Sequence, residues 1–125
     1  MHRRVLIIDD EPDITDLTST FLSFHNLYVD TVNDPEKVKP TIQKTKYDLV
    51  LIDLMMPKIN GFDIISLIKK DNENQRIPII VMSAKVLTDK ERKFLVQHKV
   101  EFVMKPFEPK QLMEQIQNTI NRAQL

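Results

Sequence analysis

The stretch Leu49-Val50-Leu51-Ile52-Asp53-Leu54-Met55-Met56-Pro57 constrains this chain more than any other. Four apolar residues in a row, rich in β-branched types, read as a strand buried on both faces. A carboxylate follows at once, and Pro57 prevents the strand from continuing. An ionisable group where a doubly buried strand surfaces lies at the carboxyl edge of a parallel sheet, where such sheets carry their chemistry. Asp53 is therefore the first candidate for a working residue.

Composition removes several alternatives. The 125 residues fit one domain, 1–125, with a core expected over about 5–123. A composition of 42% hydrophobic and 29% charged residues is that of an ordinary globular protein. Eighteen basic residues balance eighteen acidic ones, so no global field draws in nucleic acid or an anionic membrane. With no cysteine there is neither a disulfide nor a thiolate metal site nor a cysteine nucleophile, which is compatible with a reducing cytoplasm. A single glycine excludes any glycine-rich phosphate loop, and with it dinucleotide-fold and P-loop readings. No apolar run approaches the roughly 20 residues that span a bilayer. The N-terminus, Met1-His2-Arg3-Arg4-Val5, enters a strand-like run with no signal-peptide core behind it.

Four more strands are expected. Val5 to Ile8 ends on Asp9-Asp10-Glu11, and Tyr28 to Val32 is more polar and so belongs nearer a sheet edge. Pro78 to Met82 ends at Ser83-Ala84, and Glu101 to Met104 ends at Lys105-Pro106. Helices alternate with them. The first opens at Pro12 and carries Ile14, Leu17, Phe21 and Phe24 on one face, with Asn26 in a left-handed closing position. Asp34-Pro35 starts the second, which runs to about Lys46 and should kink or fray at Pro40. Asn60-Gly61 opens the third, with Phe62, Ile65 and Ile68 inward. Thr88 and Glu91 have the spacing of a capping box for the fourth, which carries Phe94 and Leu95. Pro109 starts the fifth, with Leu112, Met113, Ile116, Ile120 and Ala123 on its inner face. Five buried strands alternating with five helices imply an α/β domain, a parallel sheet covered on both faces and joined by right-handed crossovers.

In such a sheet every carboxyl end lies on one edge. That edge collects Asp9 and Asp10, Asp53, Ser83 and Lys105. Carboxylates crowded together repel, by about 4 kcal/mol for a pair at 4 Å with an effective dielectric near 20. A bound cation resolves the conflict, and an all-oxygen donor set points to Mg²⁺. Asp53 beside that ion, with Lys105 as a point charge and Ser83 as a hydroxyl donor, makes a phosphoryl-transfer site in which the carboxylate attacks phosphorus.

Four pieces in this order, Leu6-Ile7-Ile8-Asp9-Asp10-Glu11-Pro12, Asp53-Leu54-Met55-Met56-Pro57 with Gly61, Ser83-Ala84, and Lys105-Pro106-Phe107, carry a family resemblance over nearly the whole chain. The sequence resembles the receiver domain of bacterial two-component response regulators, of the chemotaxis-regulator-like kind. The resemblance implies a flavodoxin-like fold with strand order 2-1-3-4-5. It places the phosphoacceptor on Asp53. The Mg²⁺ ligands fall on Asp10, Asp53 and the backbone carbonyl of Met55, with Asp9 acting through a water. The switch hydroxyl falls on Ser83, the phosphate-binding lysine on Lys105 and the switch aromatic on Phe102. A cis Lys105-Pro106 peptide is implied to aim the lysine. The implied donor is a histidine kinase or a histidine phosphotransfer protein. Phosphorylation would change partner binding at the face of the fourth helix, fifth strand and fifth helix, and would admit a homodimer. The output partner is unknown, and no direct nucleic-acid or membrane binding and no turnover of an external substrate are expected.

The chain departs from the family pattern at a few positions. Ser83 stands where threonine is also common, and Phe102 replaces a frequent tyrosine. His98 stands where a glycine usually closes the fourth helix, a position that would strain it if left-handed. Met55 and Lys85, at positions that tune phosphoryl lifetime in the family, offer no carboxamide or carboxylate to orient a hydrolytic water, which implies slow self-dephosphorylation. Two other functions compete. A Mg²⁺-dependent phosphohydrolase of the haloacid-dehalogenase-like type would need a second aspartate where Met55 stands. A degenerate receiver acting as a phosphorylation-independent interaction module would have lost Asp53, an acidic partner or Lys105, and none is lost. His2, His25 and His98 share no spacing and read as surface or helix-end residues. The basic stretch at Lys90, Arg92 and Lys93 reads as a solvated helix face.

Overall fold

A computed structural model describes residues 3–10, 12–54 and 60–123, leaving aside the side chains of 12–17. Five strands form one parallel sheet: β1 (Arg3–Ile8), β2 (Leu27–Val32), β3 (Leu49–Asp53), β4 (Ile79–Ser83) and β5 (Glu101–Met104). Their order is β2-β1-β3-β4-β5, as the family resemblance implies. The helices are α1 (Pro12–Ser23), α2 (Val38–Lys44), α3 (Gly61–Lys70), α4 (Asp89–Gln97) and α5 (Pro109–Ala123). Every residue of β3 and of β4 is buried, because both lie inside the sheet and are covered on both sides. At the edge, β2 shows partly exposed positions, in keeping with its more polar sequence.

Alternation along the strands sorts the core into two layers. Leu6, Ile8, Val50, Ile52, Ile79 and Val81 pack with residues of α2, α3 and α4, whereas Val5, Ile7, Leu49, Leu51, Ile80 and Met82 pack with α1 and α5. At the outer strand, Arg4 pairs with Asp30 at 3.2 Å and the Tyr47 hydroxyl donates to the same carboxylate at 2.7 Å. Burial, reinforced by that carboxylate, pushes the Tyr47 phenol up to about 12.

Local chemistry explains where the helices begin and end. The Asn60 side chain accepts from the Phe62 amide, and Thr88 and Glu91 form the reciprocal capping box their spacing predicts. Asp34 does cap a helical start at Pro35, but that start is a 3₁₀ turn, Pro35–Lys37, from which α2 resumes at Val38. Pro40 thus falls in the first turn of α2, where an amide has no intrahelical acceptor, so it neither kinks nor frays the helix. The helix stops at Lys44, short of the expected Lys46.

Two side chains depart from the expected inner faces. Phe24 lies beyond the end of α1 and is 81% exposed, while Leu22 is fully buried in its stead. Ala123 is exposed, and the inward position late in α5 is taken by Thr119, whose hydroxyl hydrogen-bonds Glu101 at 2.5 Å. Ile14 and Leu17 lie outside the described side chains.

Asn26 is left-handed (φ 62°), as expected. His98 is not (φ −95°); the left-handed residue after α4 is Lys99 (φ 56°). The Lys99 amide donates to Val96 O and the Val100 amide to Leu95 O, and Leu95 and Val100 are both buried, a complete Schellman closure. His98 instead places its Nδ1 2.8 Å from Phe94 O. Among the described residues no helix is long and apolar enough to cross a membrane.

Candidate functional site at the carboxyl edge of the sheet

Asp53 is the last residue of β3 and only 5% exposed, and Asp9 directly follows β1 at 1%. Ile8 and Ile52 are register partners, so Asp9 and Asp53 stand one step further along adjacent strands, which lie about 4.8 Å apart. Both follow residues that point toward α2–α4, so by alternation both carboxylates project on the α1–α5 side. Asp9 is fixed from behind. Its amide donates to Val32 O at 3.1 Å and its carbonyl accepts from the Asn33 carboxamide at 2.7 Å.

Lys105 reaches this pair from the far side of β4. Its Nζ lies 2.9 Å from Asp53 Oδ2, an ion pair between residues 52 apart in sequence. The Lys105 side chain is 22% exposed and that of Asp53 7%. The Lys105 amide donates to Ser83 O at 2.8 Å, extending the β4–β5 ladder past the Ser83–Met104 pair, and the Lys105-Pro106 peptide is cis as expected. Leu54 N donates to Met82 O at 3.0 Å, so the ends of β3, β4 and β5 are tied by backbone bonds.

Gly61, the one glycine of the sequence, begins α3 against the end of β3. A Cβ there would stand 2.8 Å from Leu54 Cδ2 and 3.1 Å from Leu54 Cα. The start of α3 can approach the end of β3 this closely only without a side chain.

Ser83 is fully buried, and its Oγ accepts from the Lys85 amide at 2.9 Å. Phe102 is half-buried against the α2–α4 layer. Asp10 is half-exposed beside Asp9. The Met55 carbonyl, together with Glu11 and Pro57, lies outside the described residues. The structure therefore gathers Asp9, Asp53 and Lys105 on one side of the edge, with Ser83 and Phe102 on the other.

The buried donors suit a hard divalent ion. Asp9 and Asp53 offer carboxylate oxygens only, and Mg²⁺ commonly takes one or two carboxylates while keeping several waters. Among the described residues no three carboxylate or imidazole side chains gather around one point.

Sequence reasoning did not find two neighbouring features. An apolar pocket of about 420 Å³ lies beside Lys105-Pro106, lined by Phe21, Phe107, Pro109 and Leu112. An ion pair at 2.7 Å links Lys85 Nζ to Glu91 Oε2. The capping box was legible, but only the path of the turn brings Lys85 onto the same glutamate.

Comparison with known proteins agrees with this geometry. Residues 5–117 match the response regulator receiver domain family. Response regulator GtcR of Aneurinibacillus migulanus is 33% identical over 123 residues, 98% of this chain and 50% of that protein. The DNA-binding response regulator MtrA of Mycolicibacterium smegmatis is 29% identical over 122 residues, 98% of this chain and 52% of that protein. The chain thus spans about half the length of these relatives. Among solved structures, a CheY-like receiver domain protein from Methanospirillum hungatei superposes with a TM-score of 0.90 at 22% identity, covering 99% of this chain and 98% of that one. The N-terminal domain of a response regulator receiver protein from Methanoculleus marisnigri does so with a TM-score of 0.76 at 30% identity, covering 93% and 94%. A buried carboxylate pair at the sheet edge, a lysine delivered to it across β4, and a family match over almost all the chain converge: this chain belongs to the response regulator receiver domain family of two-component systems.

Proposed function

We propose that this receiver accepts a phosphoryl group on Asp53 from a histidine kinase or a histidine phosphotransfer protein. In response, it changes what it binds at the surface of α4, β5 and α5. The observation that carries the reading is the Asp53–Lys105 pair, a nearly buried carboxylate with an ammonium 2.9 Å away at the chemical edge of the sheet.

An Asp53 oxygen attacks phosphorus in line, and the P–N bond of the donor phosphohistidine breaks. The electron pair stays on the imidazole nitrogen, which takes up a proton from water. Lys105 Nζ, already seated beside Asp53, follows the charge onto a phosphoryl oxygen and stabilises it at close range. The hydroxyl of Ser83 supplies a further hydrogen bond once it reaches the same group. Asp10 and Asp53 would hold Mg²⁺ together with the Met55 carbonyl, with Asp9 acting through a water. When bound, the ion neutralises carboxylate and phosphoryl charge. Phe102, half-buried against the α2–α4 layer, would follow Ser83 inward and alter the α4–β5 surface. Exposed Val96 of α4 and Met104 of β5 supply apolar contact area for an output partner or a second copy. The cytoplasm is the compartment such a donor would require.

Intact-mass analysis after incubation with acetyl phosphate, with and without Mg²⁺, tests the reading on wild type and Asp53→Asn. The expected result is one hydroxylamine-labile phosphoryl adduct that needs both Mg²⁺ and Asp53 and decays slowly. An Asp53→Asn protein that still gains the adduct would refute the assignment. Folded wild type that gains none, even from a kinase extract, would favour a phosphorylation-independent interaction module.

A further inference from the structure

The Ser83 hydroxyl is held on the wrong side of its strand for the role proposed above. Met82 packs with the α1–α5 layer, so Ser83 turns toward α3 and α4, whereas Asp53 turns toward α1 and α5. Ser83 Oγ is engaged by the Lys85 amide at 2.9 Å, within the turn that leaves β4. Donating to a phosphoryl oxygen on Asp53 requires this turn to shift and that hydrogen bond to break.

What holds the turn is a closed ring of contacts to the start of α4. Lys85 Nζ lies 2.7 Å from Glu91 Oε2. The other oxygen of Glu91 accepts from the Thr88 amide at 2.9 Å, and the Glu91 amide donates to Thr88 Oγ1 at 3.1 Å. Glu91 therefore spends one oxygen on capping its own helix and the other on anchoring Lys85. The hydrogen bond from Lys85, with that from the Thr88 amide, holds the Glu91 carboxyl below its ordinary range. The Lys85 side chain is 43% exposed, so the ion pair is weak enough to break and accessible to salt.

We propose that the Lys85–Glu91 ion pair is a latch that holds the Ser83 hydroxyl in its resting position and ties release of that hydroxyl to movement of the α4 N-terminus. Lys85 and Glu91 are then positioning residues that act through Ser83 and oppose phosphorylation until the latch opens. The inference rests on Asp53 being the phosphoacceptor.

The test measures the initial rate of adduct formation from acetyl phosphate with Mg²⁺, by intact mass. Wild type, Lys85→Met and Lys85→Arg are compared at low and high salt, each also in a Ser83→Ala background. Lys85→Met should be phosphorylated roughly two- to fivefold faster at low salt, the range open to a solvent-accessible ion pair. Lys85→Arg, which keeps the pair, should restore the slow rate, and salt should raise wild type toward Lys85→Met. The gain should vanish in the Ser83→Ala background, because the latch acts only through that hydroxyl. If Lys85→Met does not fold, Glu91→Gln replaces it with the same expectation. A normal wild-type adduct with no acceleration in the latch variant overturns the latch alone, as does acceleration that persists without the Ser83 hydroxyl. Absence of any wild-type adduct removes the phosphoacceptor reading and the latch with it.

Discussion

The two sides of the sheet's carboxyl edge are built from different physics. On the α1–α5 side, Asp9 and Asp53 are nearly buried and Lys105 is drawn into a 2.9 Å ion pair behind a cis proline. On the α3–α4 side, Ser83 is positioned by a backbone amide, and the turn that carries this amide is tied down by a partly exposed ion pair and a helix cap. Buried charges are costly to separate, because each must be desolvated and paired. Exposed pairs and caps are worth little each and exchange readily with water. The first side is therefore suited to hold a reacting group still, and the second to move in response to it.

Three substitutions sharpen this contrast, beyond those that test Asp53 and the latch. The largest effect is expected at the buried side. Lys105→Ala should slow adduct formation from acetyl phosphate by roughly a hundredfold, the usual consequence of removing one preorganised charge-stabilising donor. A rate within a few-fold of wild type, measured by intact mass, would break the comparison, since it would make the buried ion pair irrelevant to chemistry.

An intermediate effect belongs to the contact between the end of β3 and the start of α3. Gly61→Ala places a Cβ against both the side chain and the backbone of Leu54, one residue beyond Asp53. It should lower unfolding stability by about 1–3 kcal/mol, the usual cost of overpacking, and urea denaturation would measure the loss. An unchanged midpoint would mean that the end of β3 yields more easily than its burial suggests.

The smallest effect lies at the far end of α4. Lys99 holds a left-handed conformation, which costs a residue with a side chain about 1–2 kcal/mol. Lys99→Gly keeps both Schellman hydrogen bonds and should raise stability by about 1 kcal/mol, read as a higher urea midpoint. A lower midpoint would show that the lysine side chain contributes contacts that outweigh the strain.

Much of the molecule was legible in the sequence because its determinants are local. Continuous apolar runs marked the two fully buried strands, and the more polar composition of Tyr28 to Val32 marked the edge. Asn60, Thr88 with Glu91, and Asn26 announced helix ends through chemistry confined to a few residues. What was misread depended on one more turn of chain or on a partner far away. Pro40 looked like a break because the intervening 3₁₀ turn, which moves it into a tolerated first-turn position, leaves no periodic signal. Phe24 fitted the apolar period of α1, yet the helix ends one residue earlier and leaves it to solvent. Thr119 turns inward where the Glu101 carboxylate reaches it from β5, while Ala123, in the last turn of α5, lies exposed.

The candidate site divides along the same line. The sequence by itself determined which residue types end the strands, Asp9, Asp53, Ser83 and Lys105, since a strand's length and its terminating residue are matters of local composition. Only the tertiary structure decided which face each of them occupies and which of them meet. Strand parity and the order β2-β1-β3-β4-β5 bring Asp9 beside Asp53, send Ser83 to the opposite layer, and let Lys105 cross β4 to reach a carboxylate 52 residues away. The physical reason is that pairing register and crossover geometry are set by packing of the whole sheet between its helices, which no short stretch of sequence encodes.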